Sequence, residues 1–229
     1  MKNIFKKQNL IYILAGLTGV IMLFFAFVFD QSPAMIAPFL ISLVVRIFHP
    51  RLKRFEYLIG GCNAIFYGLI FLSYRLYGLM LASFLIGAPL QLFVFWSRGA
   101  RGKITVFRTM SKKLRVLLIP VFAVVYSIYT TFVFIKVGDA NAVFFDSAIL
   151  ILYLLSTVIY LLRYSEFTYL GFLSALCEIV VHVQMIALGA EEMASYLVFA
   201  VFRLVCTLIQ ISKVKKSLLE QRREGVTRS

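Results

Sequence analysis

Residues 82–91 read ASFLIGAPLQ, and residues 194–203 read ASYLVFAVFR. At an offset of 112, Ala, Ser, Leu and Ala coincide, Phe84 falls opposite Tyr196, and Gln91 falls opposite Arg203. A second echo, RFE at 54–56 and RYSE at 163–166, sets Glu56 against Glu166 at an offset of 110. Either echo by itself is weak, because apolar helices resemble one another. Together, with a small insertion between them, they predict an internal repeat. Whether its copies are parallel or inverted depends on how many times the chain crosses its surroundings between them, and that count decides the fold.

The surroundings are a membrane. Of 229 residues, 62% are hydrophobic and 15% charged, and the mean hydropathy is +0.92. A soluble domain carries far more charge. Apolar runs near twenty residues, the length that crosses a hydrocarbon core of ~30 Å, recur along the chain. Eight spans are predicted, over 9–29, 33–48, 56–73, 76–97, 114–135, 141–162, 167–188 and 193–212. The first follows MKNIFKKQ as a signal peptide would, but it is too long for a signal core and lacks a small-x-small cleavage site. It reads as a retained peripheral helix. Pro33 suits the first turn of the second span.

Lysine and arginine test the count. With the N-terminus in the cytoplasm, the inside segments hold twenty of the 24 basic residues, and the outside loops hold two, Arg75 and Lys136. This positive-inside bias predicts a multi-pass protein of the cell (plasma) membrane with both termini cytoplasmic. The net charge of +14 is spread between apolar runs rather than gathered on one domain, which argues against a nucleic-acid partner. The basic tail has the charge to bind anionic lipid head groups, yet reads first as a solvated stop-transfer flank.

Eight crossings make the repeat parallel. Span four pairs with span eight and span three with span seven, each four crossings apart, so the chain returns in the same orientation. The expected fold is all-α and integral to the membrane. It divides into an N-terminal segment with a peripheral helix (1–32), a first three-helix repeat (33–97), a basic cytoplasmic loop with a linker helix (98–140), a second three-helix repeat (141–212) and a basic cytoplasmic tail (213–229). Parallel repeats about an axis along the membrane normal are one way to build a transporter.

Polar side chains gather in the paired spans. Span three holds Asn63 and Tyr67, and span four holds Ser83, Gly87 and Gln91. Span seven holds Ser174, Glu178 and His182; span eight holds Ser195, Arg203, Thr207 and Gln210. Steps of four place residues on one side of an α-helix. An ionised group at the bilayer centre costs ~2.5–3.5 kcal/mol on insertion scales, so Glu178 and Arg203 are expected to face inward and pair. The alternative is a packing salt bridge, with Gln91 and Asn63 as interhelical hydrogen bonds. Pro89 removes a backbone donor and frees a carbonyl, which suits a gate beside Gln91 or an ordinary membrane kink. Phe66, Tyr67, Phe93, Trp96 and Tyr196 offer rings on which a flat ligand can stack. His182 reads as a hydrogen-bonded partner of Glu178 or as a proton relay. Asp146 is expected to line an access vestibule, and Arg46 to snorkel to the inner surface. The expected substrate-binding residues are Asn63, Tyr67, Gln91, Trp96, Glu178, His182 and Arg203.

Cys62, Cys177 and Cys206 lie in apolar runs, odd in number and without CxxC spacing, so neither a disulfide nor a zinc site is indicated. No cofactor or metal is expected. No HExxH, Gly-x-Ser-x-Gly or Walker A motif occurs, so an enzyme is not indicated. Two classes remain: a transporter, and a non-transporting assembly or sensor protein with a structural polar layer. With no ATPase motif and no recurrent acid pair for ion coupling, transport is expected to be equilibrative.

The run RFEYLIGGCNAIFYGLIFLSYRLYGLMLASFLIGAPLQLFVFW resembles the Pnu-type vitamin-precursor transporters. The residues that carry the resemblance are Asn63, Tyr67-Gly68, Tyr77-Gly78, Pro89, Gln91 and Trp96, with LLRYSE before span seven. It covers roughly residues 33–216. It implies a three-plus-one-plus-three fold like that of the SWEET sugar transporters. It also implies facilitated diffusion of a B-vitamin or nucleoside-like precursor of the nicotinamide riboside, thiamine or riboflavin type, trapped afterwards by a cytoplasmic kinase. The implied partners are that small molecule and the bilayer, and a homo-oligomer is compatible. The chain departs from the pattern in two places. The tryptophans that follow the family's lead-in glutamate are replaced by Phe167-Thr168-Tyr169-Leu170-Gly171, and Val94-Phe95 stand where Gly-Trp is expected after Gln91.

Overall fold

The computed structural model describes residues 2–52, 55–97, 108–138 and 141–223. Among them the chain is helical apart from turns and one isolated bridge between Arg108 and Tyr164. The helices are α1 (Lys2–Val28), α2 (Pro33–Leu52), α3 (Phe55–Ser73), α4 (Tyr77–Leu81), α5 (Ala88–Ser97), α6 (Lys112–Phe132), α7 (Val143–Leu161), α8 (Phe167–Ala187) and α9 (Met193–Arg223). A π-helical segment, Ala82–Gly87, joins α4 to α5 into one rod, and a second, Val133–Val137, extends α6. Seven of the described rods are long and apolar enough to cross a membrane; the apolar part of α2, Pro33–Val45, is shorter.

Local chemistry explains several boundaries. The Ser111 hydroxyl accepts the Leu114 N–H at 3.3 Å and caps α6. Gly138, at φ +69°, ends the segment after α6 in the left-handed conformation that glycine tolerates. Pro89 lies just beyond the first π segment. Its missing N–H and its ring disturb the turn around Leu85, which is where the helix widens to i→i+5 bonding. The loosening expected of Pro89 is therefore real, and it falls on the N-terminal side of the proline.

The helices pack in sequence order within two groups. α3 packs on α2 and α5, and α8 packs between α7 and α9. The groups meet where α4 and its π segment lie on α7 and where α2 touches α9. α1 rests on α2 and α9 through Ala15 and Met22, while Ile13, Val20, Phe24 and Phe27 stay exposed. The α4–α7 seam depends on Gly78, where a Cβ would lie 2.1 Å from the Asp146 carbonyl oxygen.

Asp146 itself is 3% exposed, so it lines no vestibule. Its carboxylate accepts the N–H groups of Gly78 and, at 2.8 Å, Leu79. A carboxylate at a helix start meets unpaired donors and the positive end of the helix dipole. The C-terminal boundary also differs from expectation. α9 continues to Arg223, and Val214 and Leu218 pack with Met110, Leu114 and Phe167. Up to that point the basic tail is an amphipathic helix seated on the start of α6, with Lys215 5.8 Å from the Tyr169 ring centroid. The Arg46 side chain, Arg54 and the loop 98–107 lie outside the described residues.

Candidate functional site

An ion pair occupies the middle of the bundle. Arg203 Nη1 on α9 lies 2.8 Å from Glu178 Oε1 on α8 and 2.6 Å from Oε2. The Glu178 side chain is 3% exposed, and that of Arg203 is 37% exposed. The pairing expected from mid-helix charges is thus present, and the two partners differ in access to solvent.

Helix geometry places further groups at the same depth. Arg203 is ten residues into α9, Tyr153 ten into α7 and Ser42 nine into α2. Glu178 is nine residues and Asn63 ten from the ends of α8 and α3. At a rise of 1.5 Å per residue, all five lie ~14–15 Å from the same end of the molecule, near the middle of a ~30 Å core. That end carries the lysine-poor turns; the opposite, basic end carries the loops rich in lysine and arginine. The phenols of Tyr67 and Tyr153 stand within Coulombic reach of both Glu178 and Arg203.

Asn63 is held rather than free. Its Nδ2 donates to the Pro38 carbonyl at 2.7 Å and to Ser42 Oγ at 2.9 Å, while Oδ1 has no partner among the described residues. Ser42 also hydrogen bonds the Tyr67 hydroxyl at 3.0 Å. This chain ties α2 to α3 and orients the Tyr67 phenol.

An aromatic layer lies between the ion pair and the lysine-poor end. Phe39 stacks on Tyr196 at 4.4 Å and meets Tyr67 edge-on at 4.6 Å. His182 belongs to this layer. Its ring stacks on Phe71 at 6.4 Å and meets Tyr196 at 6.2 Å. Its Nε2 is 3.9 Å from Glu178 Oε1, beyond hydrogen-bonding distance, and neither ring nitrogen has a hydrogen-bond partner among the described residues. His182 is therefore not the hydrogen-bonded partner of Glu178 that its one-turn spacing suggests. A buried imidazole of this kind costs free energy, which marks it as a position worth testing for ligand contact.

Two expected residues lie elsewhere. Gln91 Oε1 sits 1.8 Å from where a Cβ on Gly60 would be, so the amide rests on the bare backbone of α3, one turn from Asn63 toward the basic end. The stripe Ser83–Gly87–Gln91 assumed α-helical steps, and the π segment breaks that register. Trp96 is 81% exposed, as Phe93 is at 63% and Phe66 at 55%. These rings cover the outside of the bundle. Trp96 lies outside the site, because at a helix end its amphipathic indole suits a membrane–water interface. Ser42 and Tyr153 were missed. Each hydroxyl lies inside an apolar run, FLISLVV and ILILYLLS, and that contrast is the available signal.

Among the described residues, no group of three or more His, Cys, Asp or Glu is placed to hold a metal ion, and the three cysteines are free. A cavity of about 400 Å³ between α1 and α9 is lined by aliphatic residues, Phe202 and Thr18, and the ion pair takes no part in it.

The family model described as nicotinamide mononucleotide transporter matches residues 32–212. The chain belongs to this family. The solved structure titled "Crystal structure of the Vitamin B3 transporter PnuC" is similar in fold, with a TM-score of 0.62 at 18% sequence identity, over 92% of this chain and 90% of that one. No curated protein matches the chain. The Pnu-type resemblance carried by residues 54–96 is borne out. The family and the solved structure are transporters and not enzymes, and this family member is a multi-pass membrane protein.

Proposed function

We propose that the chain carries a small ring-bearing vitamin precursor, of the nicotinamide riboside, thiamine or riboflavin type, across the cell membrane by facilitated diffusion. The observation that carries this reading is the Glu178–Arg203 pair at mid-depth, with Tyr67, Tyr153 and His182 around it. Transporters of the parallel-repeat kind bind near the bilayer midplane, where the repeats meet. In this reading α2 also crosses, giving eight crossings in two parallel three-helix units with α6 as the linker, as in SWEET transporters. The basic end is cytoplasmic, and so are both termini. Arg203 and Glu178 bind polar groups of the substrate, Tyr67 and His182 flank its ring, and Asn63 holds Tyr67 in place. Gln91 lines the path on the basic side. A cytoplasmic kinase then traps the product, and the protein works as a monomer or within a homo-oligomer.

The test is uptake of labelled nicotinamide riboside, thiamine and riboflavin into kinase-free vesicles containing the purified protein. One of the three should equilibrate to the external concentration and no higher. Accumulation above that level would overturn facilitated diffusion. No entry of any of them would favour a non-transporting assembly or sensor role, to which the Asn63–Pro38–Ser42 ties would belong as packing.

A further inference from the structure

The contacts between the two helix groups are unevenly distributed along the membrane normal. At the lysine-poor end they are dense and polar. Tyr74, in the turn after α3, donates to Glu192 Oε1 at 3.1 Å. Gln31, in the turn before α2, donates through Nε2 to the Glu192 carbonyl and accepts from Ser195 Oγ at 2.8 Å. The Tyr196 hydroxyl reaches the Met35 carbonyl at 3.4 Å. Every one of these bonds joins the α2–α3 side to the turn before α9 or to its first residues. Beneath them lie Phe39, Phe71, Tyr196 and Phe199, none more than 7% exposed. A polar latch thus sits on a dry aromatic plug.

Among the described residues the contacts between the groups are fewer toward the basic end, where α5, the basic half of the fourth rod, packs on α3 and its own π segment. Arg203, at the boundary between the two halves, keeps 37% of its side chain exposed. At that depth an exposed charge faces either lipid or water, and lipid exposure is costly. With the latch and plug sealing the lysine-poor side, a solvated path to Arg203 would have to come from the basic end.

We infer that Tyr74, Glu192, Gln31 and Ser195 form the shut gate at the lysine-poor end, and that the structure is the state open toward the basic end. This deepens the transport reading above and rests on it. Burial first, and then the Glu192 carboxylate, hold the Tyr74 phenol above its ordinary range. Opening the gate breaks the Tyr74–Glu192 and Gln31–Ser195 bonds and parts the stacked Phe39 and Tyr196. The two states exchange as a population equilibrium, so weakening the latch shifts it without altering the site below.

The experiment reads accessibility. A reporter, Ser42→Cys, is placed below the plug on a background carrying Cys62→Ala, Cys177→Ala and Cys206→Ala. A membrane-impermeant maleimide is added to intact cells or to inverted vesicles. The parent should label from the basic face and be protected from the lysine-poor face. Tyr74→Phe, which keeps the ring packed against Tyr196, should raise labelling from the lysine-poor face about threefold to tenfold, the range expected for one lost hydrogen bond. Glu192→Ala should act in the same direction. Unchanged labelling in both variants, an equal rise at both faces, or faster labelling of the parent from the lysine-poor face would overturn the gate. Absence of nicotinamide riboside, thiamine and riboflavin uptake by the protein that keeps Ser42, alongside a one-sided labelling shift in the reporter, would leave the latch standing and remove the transport reading instead.

Discussion

α5 meets α3 across Gly60 and Gly61, whose missing side chains let Gln91 and Leu92 lie against the backbone. α9 meets α8 quite differently, through the buried Glu178–Arg203 ion pair. The sequence offsets make the contrast direct. Gly68 stands 110 residues before Glu178, and Gln91 stands 112 before Arg203. One helix pair approaches closely over glycine and carries a neutral amide. The other carries two charges that only each other, or a polar ligand, can satisfy. The α8–α9 contact thus carries the Glu178–Arg203 charge, while the π segment, Ala82–Gly87, lies in the rod that packs on α3.

The sharpest way to break this comparison is to remove one charge. Arg203→Gln leaves Glu178 buried without its cation, which should cost about 3–5 kcal/mol of stability and abolish uptake. Adding Glu178→Gln should recover much of the melting temperature, because no unpaired charge remains, yet uptake should stay lost. Recovery of both would make the pair a packing device like any other salt bridge.

A smaller effect is expected on the glycine side. Gln91→Leu should weaken binding by ~1–3 kcal/mol, roughly tenfold or more, if the amide meets the substrate. The melting temperature should hardly move, since leucine buries no unsatisfied group. A lowered melting point with unchanged affinity would instead make Gln91 an interhelical tie. Gly60→Ala sharpens the same point, because its new Cβ must displace the flexible end of Gln91. It should reproduce the affinity loss of Gln91→Leu, and do so only while Gln91 is present.

The smallest effect is expected at Trp96. Its 81% exposure predicts that Trp96→Ala changes uptake by less than about twofold, well under the tenfold that a lost ligand contact brings. A tenfold loss would return this residue to the site.

Much of this is legible in the sequence. Composition and run length fixed the membrane setting, because crossing a bilayer demands long apolar stretches that nothing else in a chain of this size requires. The cost of isolated charge in lipid predicted that Glu178 and Arg203 would pair. Pro89 pointed to an irregular fourth rod, because its missing donor acts on the backbone wherever the chain lies. Other features depended on position in space. Trp96 and Tyr196 are both aromatic residues in apolar runs, and only packing put one outside and the other in the centre. Asp146 reads from sequence as a free acid near a helix end, and the helix start it caps lies 67 and 68 residues away in the chain. Ser42 and Tyr153 gained meaning from neighbours on other helices. The latch of Tyr74, Glu192, Gln31 and Ser195 spans separations of up to 164 residues. Local preference and the cost of burial act on each residue where it stands, so the sequence alone determined the helices, the membrane and the polar layer. Which side chains meet, and at which end the bundle is shut, is set by contacts between distant segments, and only the tertiary structure decided them.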